Sequence, residues 1–266
     1  MTAHPNRDSF FTARDRKNGD SVGQSNPLSL WSFFDQVYCI SLRNRADRRL
    51  EAGKQFARVG LADRVEYVLV DKEHDDPQKG IYESHLLCMQ KGIAAAARRI
   101  LIFEDDVVFA ANTLKFQKKL AKILKFLRED KSWDILFLGC MVSKSRKLRG
   151  FPICQVQYRS LTHGYVITED FARVIVQEHP WHNKAYDDFL RDLHSERMFT
   201  AYPSIAFQSN SPSDNDAYLW LDRVRRCFGG LTGLQKFDEW YHRYSWWLIG
   251  GHIFLLGLLM FLWASP

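Results

Sequence analysis

Cysteine is scarce in this chain and badly placed for cross-linking. Cys39, Cys88, Cys140, Cys154 and Cys227 are odd in number and form no close pair. That excludes a disulfide framework and a Cys/His zinc site, and it fits buried structural thiols in a reducing compartment. Also missing are the glycine fingerprint of dinucleotide sites, a P-loop, a serine nucleophile elbow and any internal repeat. The first residues lack the apolar run of a signal peptide: Arg7, Arg14, Arg16 and Lys17 stand among polar residues. Residues 1–33 read as a disordered N-terminal arm. The net charge of +6 is spread over helix faces and the C-terminal part rather than gathered with aromatics in a stripe. Nucleic acid is therefore not the expected partner, and an anionic membrane surface or a phosphorylated substrate suits the charge better.

What is present is enough for one sizeable core. With 266 residues, 46% hydrophobic and 26% charged, the chain suits a single α/β domain with extensions. Strands are expected at 37–42, 65–70, 99–104, 133–139, 163–168 and 201–208, with helical patterns between them. Gly60 closes the first helix, Ser84 and Asn112 are expected N-caps of the next two, and Thr168 caps a fourth. The basic segment 144–159 reads as a loop. This alternation implies a Rossmann-type three-layer sandwich.

One stretch concentrates the chemistry. Arg99-Ile100-Leu101-Ile102-Phe103 delivers Glu104-Asp105-Asp106, three consecutive carboxylates at a strand end. Their repulsion is relieved most directly by a hard divalent cation such as Mg²⁺ or Mn²⁺; a solvated acidic turn is the plainer alternative. In extended backbone Glu104 and Asp106 face one way and Asp105 the other. Arg43, Arg45, Arg48 and Arg49, at the first strand-to-helix junction, suit phosphate or nucleotide binding; a solvated basic turn is the plain alternative. Asp187 and Asp188 open a short helix, where acids also complement the helix dipole. His85 either touches a ligand or packs.

The tail differs from everything before it. Residues 246–263 contain no charged side chain and have tryptophans at both ends. A bilayer-crossing helix needs roughly 20 apolar residues, and Trp favours the membrane interface. The expectation is a transmembrane or membrane-anchoring helix at 244–264, preceded by an amphipathic neck at 218–243. Basic residues on the N-terminal side would leave the folded domain, 34–217, on the cytoplasmic face of a membrane such as a bacterial inner membrane. Gly250, Gly251 and Gly257 would allow helix-mediated association.

Taken in order, Ser41-Leu42 with Asp47-Arg48-Arg49, Ser84-His85, Glu104-Asp105-Asp106, His163-Gly164-Tyr165-Val166, Asp187-Asp188, Pro203 to Gln208 and Ser213-Asp214 resemble glycosyltransferase family 25. That family includes lipopolysaccharide and collagen galactosyltransferases, and the resemblance spans about residues 36–216. It implies a GT-A-like fold and inverting transfer of a hexose, galactose favoured, from a nucleotide sugar (a UDP-sugar favoured) to a hydroxyl of a glycan, glycolipid or lipopolysaccharide core. By position it places Asp106 and Glu104 at Mn²⁺ or Mg²⁺, and Ser41, Leu42, Asn44, Arg45, Asp71, Ser84, His85, Glu104 and Asp105 around the donor. His163, Tyr165 and Gln208 fall on the acceptor side. Asp187 or Asp188 would be the base, Asp188 preferred. Two features depart from the family pattern: the hydrophobic tail, and Lys79-Gly80-Ile81-Tyr82-Glu83 ahead of Ser84. A metal-dependent phosphohydrolase or nucleotidyltransferase using the same acids, and a non-catalytic membrane-tethered scaffold, are the competing functions.

Overall fold

The computed structural model describes residues 30–193, 195–209 and 229–264. An eight-stranded mixed sheet forms its centre. The strands are β1 (Gln36–Leu42), β2 (Glu66–Val70), β3 (Arg99–Glu104), β5 (Ile135–Phe137), β6 (Met141–Lys147), β7 (Ile153–Ser160), β8 (Gly164–Thr168) and β9 (Met198–Ala201). Their order is β2-β1-β3-β8-β5-β9-β7-β6. β1 pairs in parallel with β2 and β3, and β5 with β9, whereas β8 and β7 run against their neighbours. A two-stranded ribbon of β4 (Val107–Phe109) and β10 (Ala206–Gln208) stands beside the end of β3.

The period-two alternation of β3 builds a core on each face of the sheet. Leu101 and Phe103 point into one cluster, with Ala52, Phe56 and Val59 of α1 (Ala46–Val59) and Leu120, Ile123 and Leu127 of α3 (Leu114–Glu129). Ile100 and Ile102 point into the other, against α2 (Pro77–Ala94), α4 (Glu169–Glu178) and α5 (Tyr186–Asp192). Helices therefore cover both faces of the sheet, and each fully buried Phe or Leu contributes about 1.5–3 kcal/mol. The aromatic start of the domain belongs to the same core: Trp31, Phe33 and Phe34 are buried, and the Trp31 indole donates to the Val59 carbonyl at 2.8 Å. Trp31 and Phe33, within the expected arm 1–33, are thus part of the folded core beside α1; residues 1–29 of that arm lie outside the described residues.

The helix ends correct two expected caps. α2 starts seven residues before Ser84: Asp76 accepts from the amides of Gln78 and Lys79, and Pro77 follows it at the first helical position. Ser84 is mid-helix and buried, donating to the Gly80 carbonyl at 2.5 Å. Thr113, not Asn112, caps α3 by accepting from Phe116 N. Asn112 instead donates to the carbonyl of Arg58, tying α3 to α1. Thr168 caps α4 as expected, and Gly60 ends α1 at φ 77°, a left-handed conformation that favours glycine. The segment 144–159 is not a loop: most of it forms the antiparallel hairpin β6–β7, whose basic residues decorate an edge strand.

The C-terminal helix α6 (Gly230–Ala264) runs 35 residues without a break, so the described part of the expected neck and the expected anchor are one rod. At 1.5 Å per residue it is about 52 Å long. Its first half packs on the domain: Asp238 accepts from Val142 N at 3.0 Å, and a His242 ring nitrogen lies 3.0 Å from the Val142 carbonyl oxygen. Among the described residues no helix is long and apolar enough to cross a membrane, so the expected span is not found there. Ser213, Asp214 and the first part of the expected neck lie outside the described residues.

Candidate active site

β3 is buried from Ile100 to Phe103 and ends at the partly buried Glu104, where the backbone turns through Asp105 and Asp106 into β4. This sets the three carboxylates at the carboxyl end of the β1–β3 parallel pair, the end at which α/β sheets gather ligands. Each acid is held differently.

Asp106 faces β10. The ribbon register puts Gln208 opposite Val107, so the Gln208 amide donates to Asp106 Oδ2 at 2.8 Å, and Ser209 N donates to the Asp106 carbonyl. Oδ1 is buried with no hydrogen-bond partner among the described residues. Burial, and then the charge of Glu104, push the Asp106 carboxyl up to about 7, against the pull of Gln208 and Arg48. Asp105 turns to α1, where Arg48 Nη1 lies 3.3 Å from its carboxylate. Burial raises Asp105, opposed by Ser41 and Arg48.

Glu104 opens a buried polar chain. It accepts from Thr162 Oγ1 at 2.6 Å and lies 3.5 Å from His85 Nε2. His85 Nδ1 meets the Tyr165 hydroxyl at 2.9 Å, which meets that of Tyr186 at 3.0 Å. The His85 ring also stacks on Tyr186, with centroids 4.1 Å apart. Burial raises Glu104, but the hydrogen bond and charge of His85 outweigh it and leave the carboxyl below its ordinary value. His85 is thus both packed and aimed at the acids. His163, fully buried on β8's approach, has neither ring nitrogen hydrogen-bonded among the described residues. Burial drops it to about 4 and keeps the imidazole neutral.

The two aspartates of α5 separate. Asp187 turns inward, accepting from the Tyr158 hydroxyl and from Leu161 N at 3.3 Å. Burial raises it, with the charge of Glu104 adding to the effect. Asp188 is half exposed and paired with Arg191 at 2.8 Å. The first turn of α5 therefore presents Asp187, and not the expected Asp188, to the acidic cluster.

Ser41, Glu104, Asp105, Asp106, His85, His163, Tyr165, Gln208 and Asp187 are thus drawn around one end of the sheet. Others are not. Asn44 is exposed, Asp71 pairs with Arg43 on the surface, and Arg45 is forked onto Asp47. Ser84 serves its own helix, and Leu42 contributes its carbonyl, which accepts from Arg49 at 2.5 Å. Thr162, Tyr158 and Tyr186 were absent from the expected set, and Arg48 entered it only as one of the basic residues of the first strand-to-helix junction. Arg48 lies in the first turn of α1, after the N-cap Arg45. Thr162, Tyr158 and Tyr186 have no local signal.

The base of α6 supports this site. Thr232 Oγ1 donates to the Gln208 carbonyl at 2.5 Å. Gln235 Nε2 reaches Ser204 Oγ at 3.0 Å and the Ala206 carbonyl at 3.1 Å, and Glu239 accepts from Ser204 N at 2.7 Å. Close approach depends on Gly139, where a Cβ would stand 2.3 Å from Ala206 O and 2.5 Å from Gln235 Nε2. A surface groove between α3 and the β6–β7 turn, lined by Phe126, Phe151, Arg149 and Arg197 among others, contains none of these acids.

A cation fits the cluster in a limited sense. No group of three or more His, Cys, Asp or Glu able to hold a metal occurs among the described residues. Asp106 alone offers a buried, unsatisfied carboxylate oxygen, and Mg²⁺-type ions often use one or two carboxylates with substrate phosphates and water. Glu104, expected as a second ligand, is engaged by Thr162 and His85.

Residues 67–190 match the family model described as glycosyltransferase family 25 (LPS biosynthesis protein), so the resemblance carried by the motifs is shown over that span. Among curated relatives, the probable inactive glycosyltransferase 25 family member 3 of Rattus norvegicus is 25% identical over 217 residues, covering 70% of this chain and 36% of that protein. The inactive glycosyltransferase 25 family member 3 of Homo sapiens is 26% identical over 203 residues, covering 64% and 34%. The chain thus spans about a third of the length of the curated relatives it matches. Similar solved structures include A197 from STIV, with a TM-score of 0.43 at 14% identity covering 65% of this chain and 85% of that one. Another is a glycosyltransferase involved in glycosylation of the major capsid of PBCV-1, with a TM-score of 0.38 at 11% identity, covering 63% and 82%.

Proposed function

We propose that this chain, with its glycosyltransferase family 25 match at 67–190, is a GT-A-type transferase moving a hexose from a nucleotide sugar to a hydroxyl of a glycan or glycolipid. A membrane-bound acceptor on the cytoplasmic face, as in lipopolysaccharide-core synthesis, is the setting that the basic and apolar C-terminal part suits. The observation that carries the reading is Asp106. A carboxylate with one buried, unsatisfied oxygen, at a strand end and within the electrostatic reach of Arg48, supports a cation-bridged phosphorylated ligand there.

The geometry supports the following roles. Mn²⁺ or Mg²⁺ held by Asp106 would supply charge to stabilise the departing diphosphate. Asp105 orients Arg48, which lies close enough to Asp106 to influence it. Glu104, fixed by Thr162 and His85, is placed to accept from donor hydroxyls while His85, Tyr165 and Tyr186 hold its position. The neutral His163 lines the same end and suits a sugar or acceptor hydroxyl. Asp187 is the proposed base in an inverting transfer: burial raises its affinity for a proton, and Tyr158 orients it.

Calorimetry with UDP and UDP-galactose, with and without Mn²⁺, tests the reading. Cation-dependent binding that Asp106→Ala removes is expected, together with sugar transfer that Asp187→Asn abolishes. Binding of no nucleotide sugar under any condition would overturn it. A second reading, a transferase-like module that binds the donor without turnover, is favoured by the names of the two relatives and by there being a single buried, unsatisfied carboxylate oxygen among the described residues. Donor binding without transfer to any of a panel of glycolipid acceptors would select it. Release of inorganic phosphate or pyrophosphate would instead select the hydrolase alternative.

A further inference from the structure

The first half of α6 is fastened to the domain, and the second half presents an apolar surface to its surroundings. Exposed at its base are Phe237, Trp240, Tyr241 and Tyr244, then Trp247 at 82% exposure. Beyond them Ile249, Ile253, Phe254, Leu255, Leu256 and Met260 are exposed, Phe254 at 74% and Met260 at 72%. Residues 253–256 are consecutive, and helical positions step by about 100°, so these four side chains point around the whole circumference. An in-plane amphipathic helix needs one polar face, and a coiled-coil seam needs one apolar stripe. A helix whose residues 253–256 are exposed and apolar on every side, in a sequence free of charge from Trp246 to Trp263, matches neither. It matches immersion in hydrocarbon.

The flanks agree. The large aromatics concentrate where the rod leaves the domain, as interfacial residues do. Lys236 and Arg243 are exposed at the same level, and the adjoining edge strand β6 adds exposed Lys144, Arg146 and Lys147. Asp238 and Glu239, the acids of that region, are turned into the domain by Val142 N and Ser204 N. The outward charge at the base is therefore positive, complementary to anionic headgroups.

We infer that the distal half of α6 inserts into an anionic lipid bilayer, with its aromatic and basic base seated at the headgroups. Insertion brings the same helix that holds Ser204, Ala206 and Gln208 to the lipid surface, so the acidic cluster is carried at a fixed height above it. This inference rests on the surface of α6 and is independent of any transferase activity.

Flotation of the full chain, transferred from mild detergent onto preformed vesicles, tests it. The chain is expected to float with phosphatidylcholine vesicles and more strongly when phosphatidylglycerol is included, and to resist high salt. Phe254→Asp in the rod should weaken partitioning about a hundredfold. Lys236→Glu with Arg243→Glu should cut only the phosphatidylglycerol-dependent gain, by about fivefold or more per charge. Circular dichroism checks that both variants retain the wild-type fold. If the chain remains below the vesicles, or if Phe254→Asp floats like wild type, the inference fails. It also fails if sedimentation shows a lipid-indifferent dimer that Phe254→Asp dissociates, for then a second copy covers the rod.

Discussion

His163 shows how little a single position needs in order to set a pH response. Its folded pKa of about 4 lies below the ordinary 6.5, so between those values the unfolded chain binds the extra proton. Stability from this group is therefore complete above about 6.5 and is lost as pH falls toward 4. His163→Phe should flatten urea-unfolding stability over that window, removing roughly 2–3 kcal/mol of pH dependence; an unchanged slope would disprove the assignment. Arg48 and Asp105 form the site's most enclosed acid–base pair, with side chains 13% and 8% exposed. Removing one partner strands the other, so Arg48→Met is expected to cost about 2–4 kcal/mol in denaturant unfolding. The same variant should also weaken nucleotide binding.

At the scale of elements, the β10 ribbon is the hinge of the account. It reaches Asp106 only because α6 grips it and because Gly139 lets both approach the end of β5. Gly139→Ala would force Ala206 and Gln235 apart. An expected loss of about 1–3 kcal/mol, read as a lower melting temperature, should come with weaker Mn²⁺-dependent donor binding as Gln208 moves. Glu239→Ala, which leaves Ser204 N without its carboxylate, should cost about 1–3 kcal/mol and give the same pairing of effects. Loss of stability with donor affinity intact would separate α6 from the site.

For the whole molecule, α6 acts as two parts of one rod. Ending the chain after residue 245 removes the apolar half and leaves the anchoring residues Gln235, Asp238, Glu239 and His242 in place. That shortened protein should fold, stay soluble without detergent and keep any nucleotide binding. Ending it before residue 229 exposes the edge of β10 and the Gly139 surface, and a clear drop in melting temperature is expected by calorimetry. Equal melting temperatures for the two would mean that α6 is a passenger rather than part of the domain.

Several features were determined by sequence alone, because they are local. The apolar run of β3, the helical pattern of α3 and the Thr168 cap each depend on residues adjacent in the chain, and each took its expected form; the charge-free tail formed a helix, but one continuous with the expected neck. Ser84 and Asn112 were misassigned because a stronger cap lay nearby in both cases: Asp76-Pro77 upstream of one, and Thr113 beside the other. The hairpin within 144–159 was hidden because its polar edge strand β6 lacks the buried alternation that marks a strand. The functional cluster needed long-range contacts: Glu104 with Thr162 and His85, Asp106 with Gln208, Asp187 with Tyr158. Which aspartate of α5 turns inward, and that the C-terminal helix steadies the acidic end of the sheet, were decided only by packing. Spacing can list the charged groups a chain carries, but their burial and partners arise when distant segments close around them.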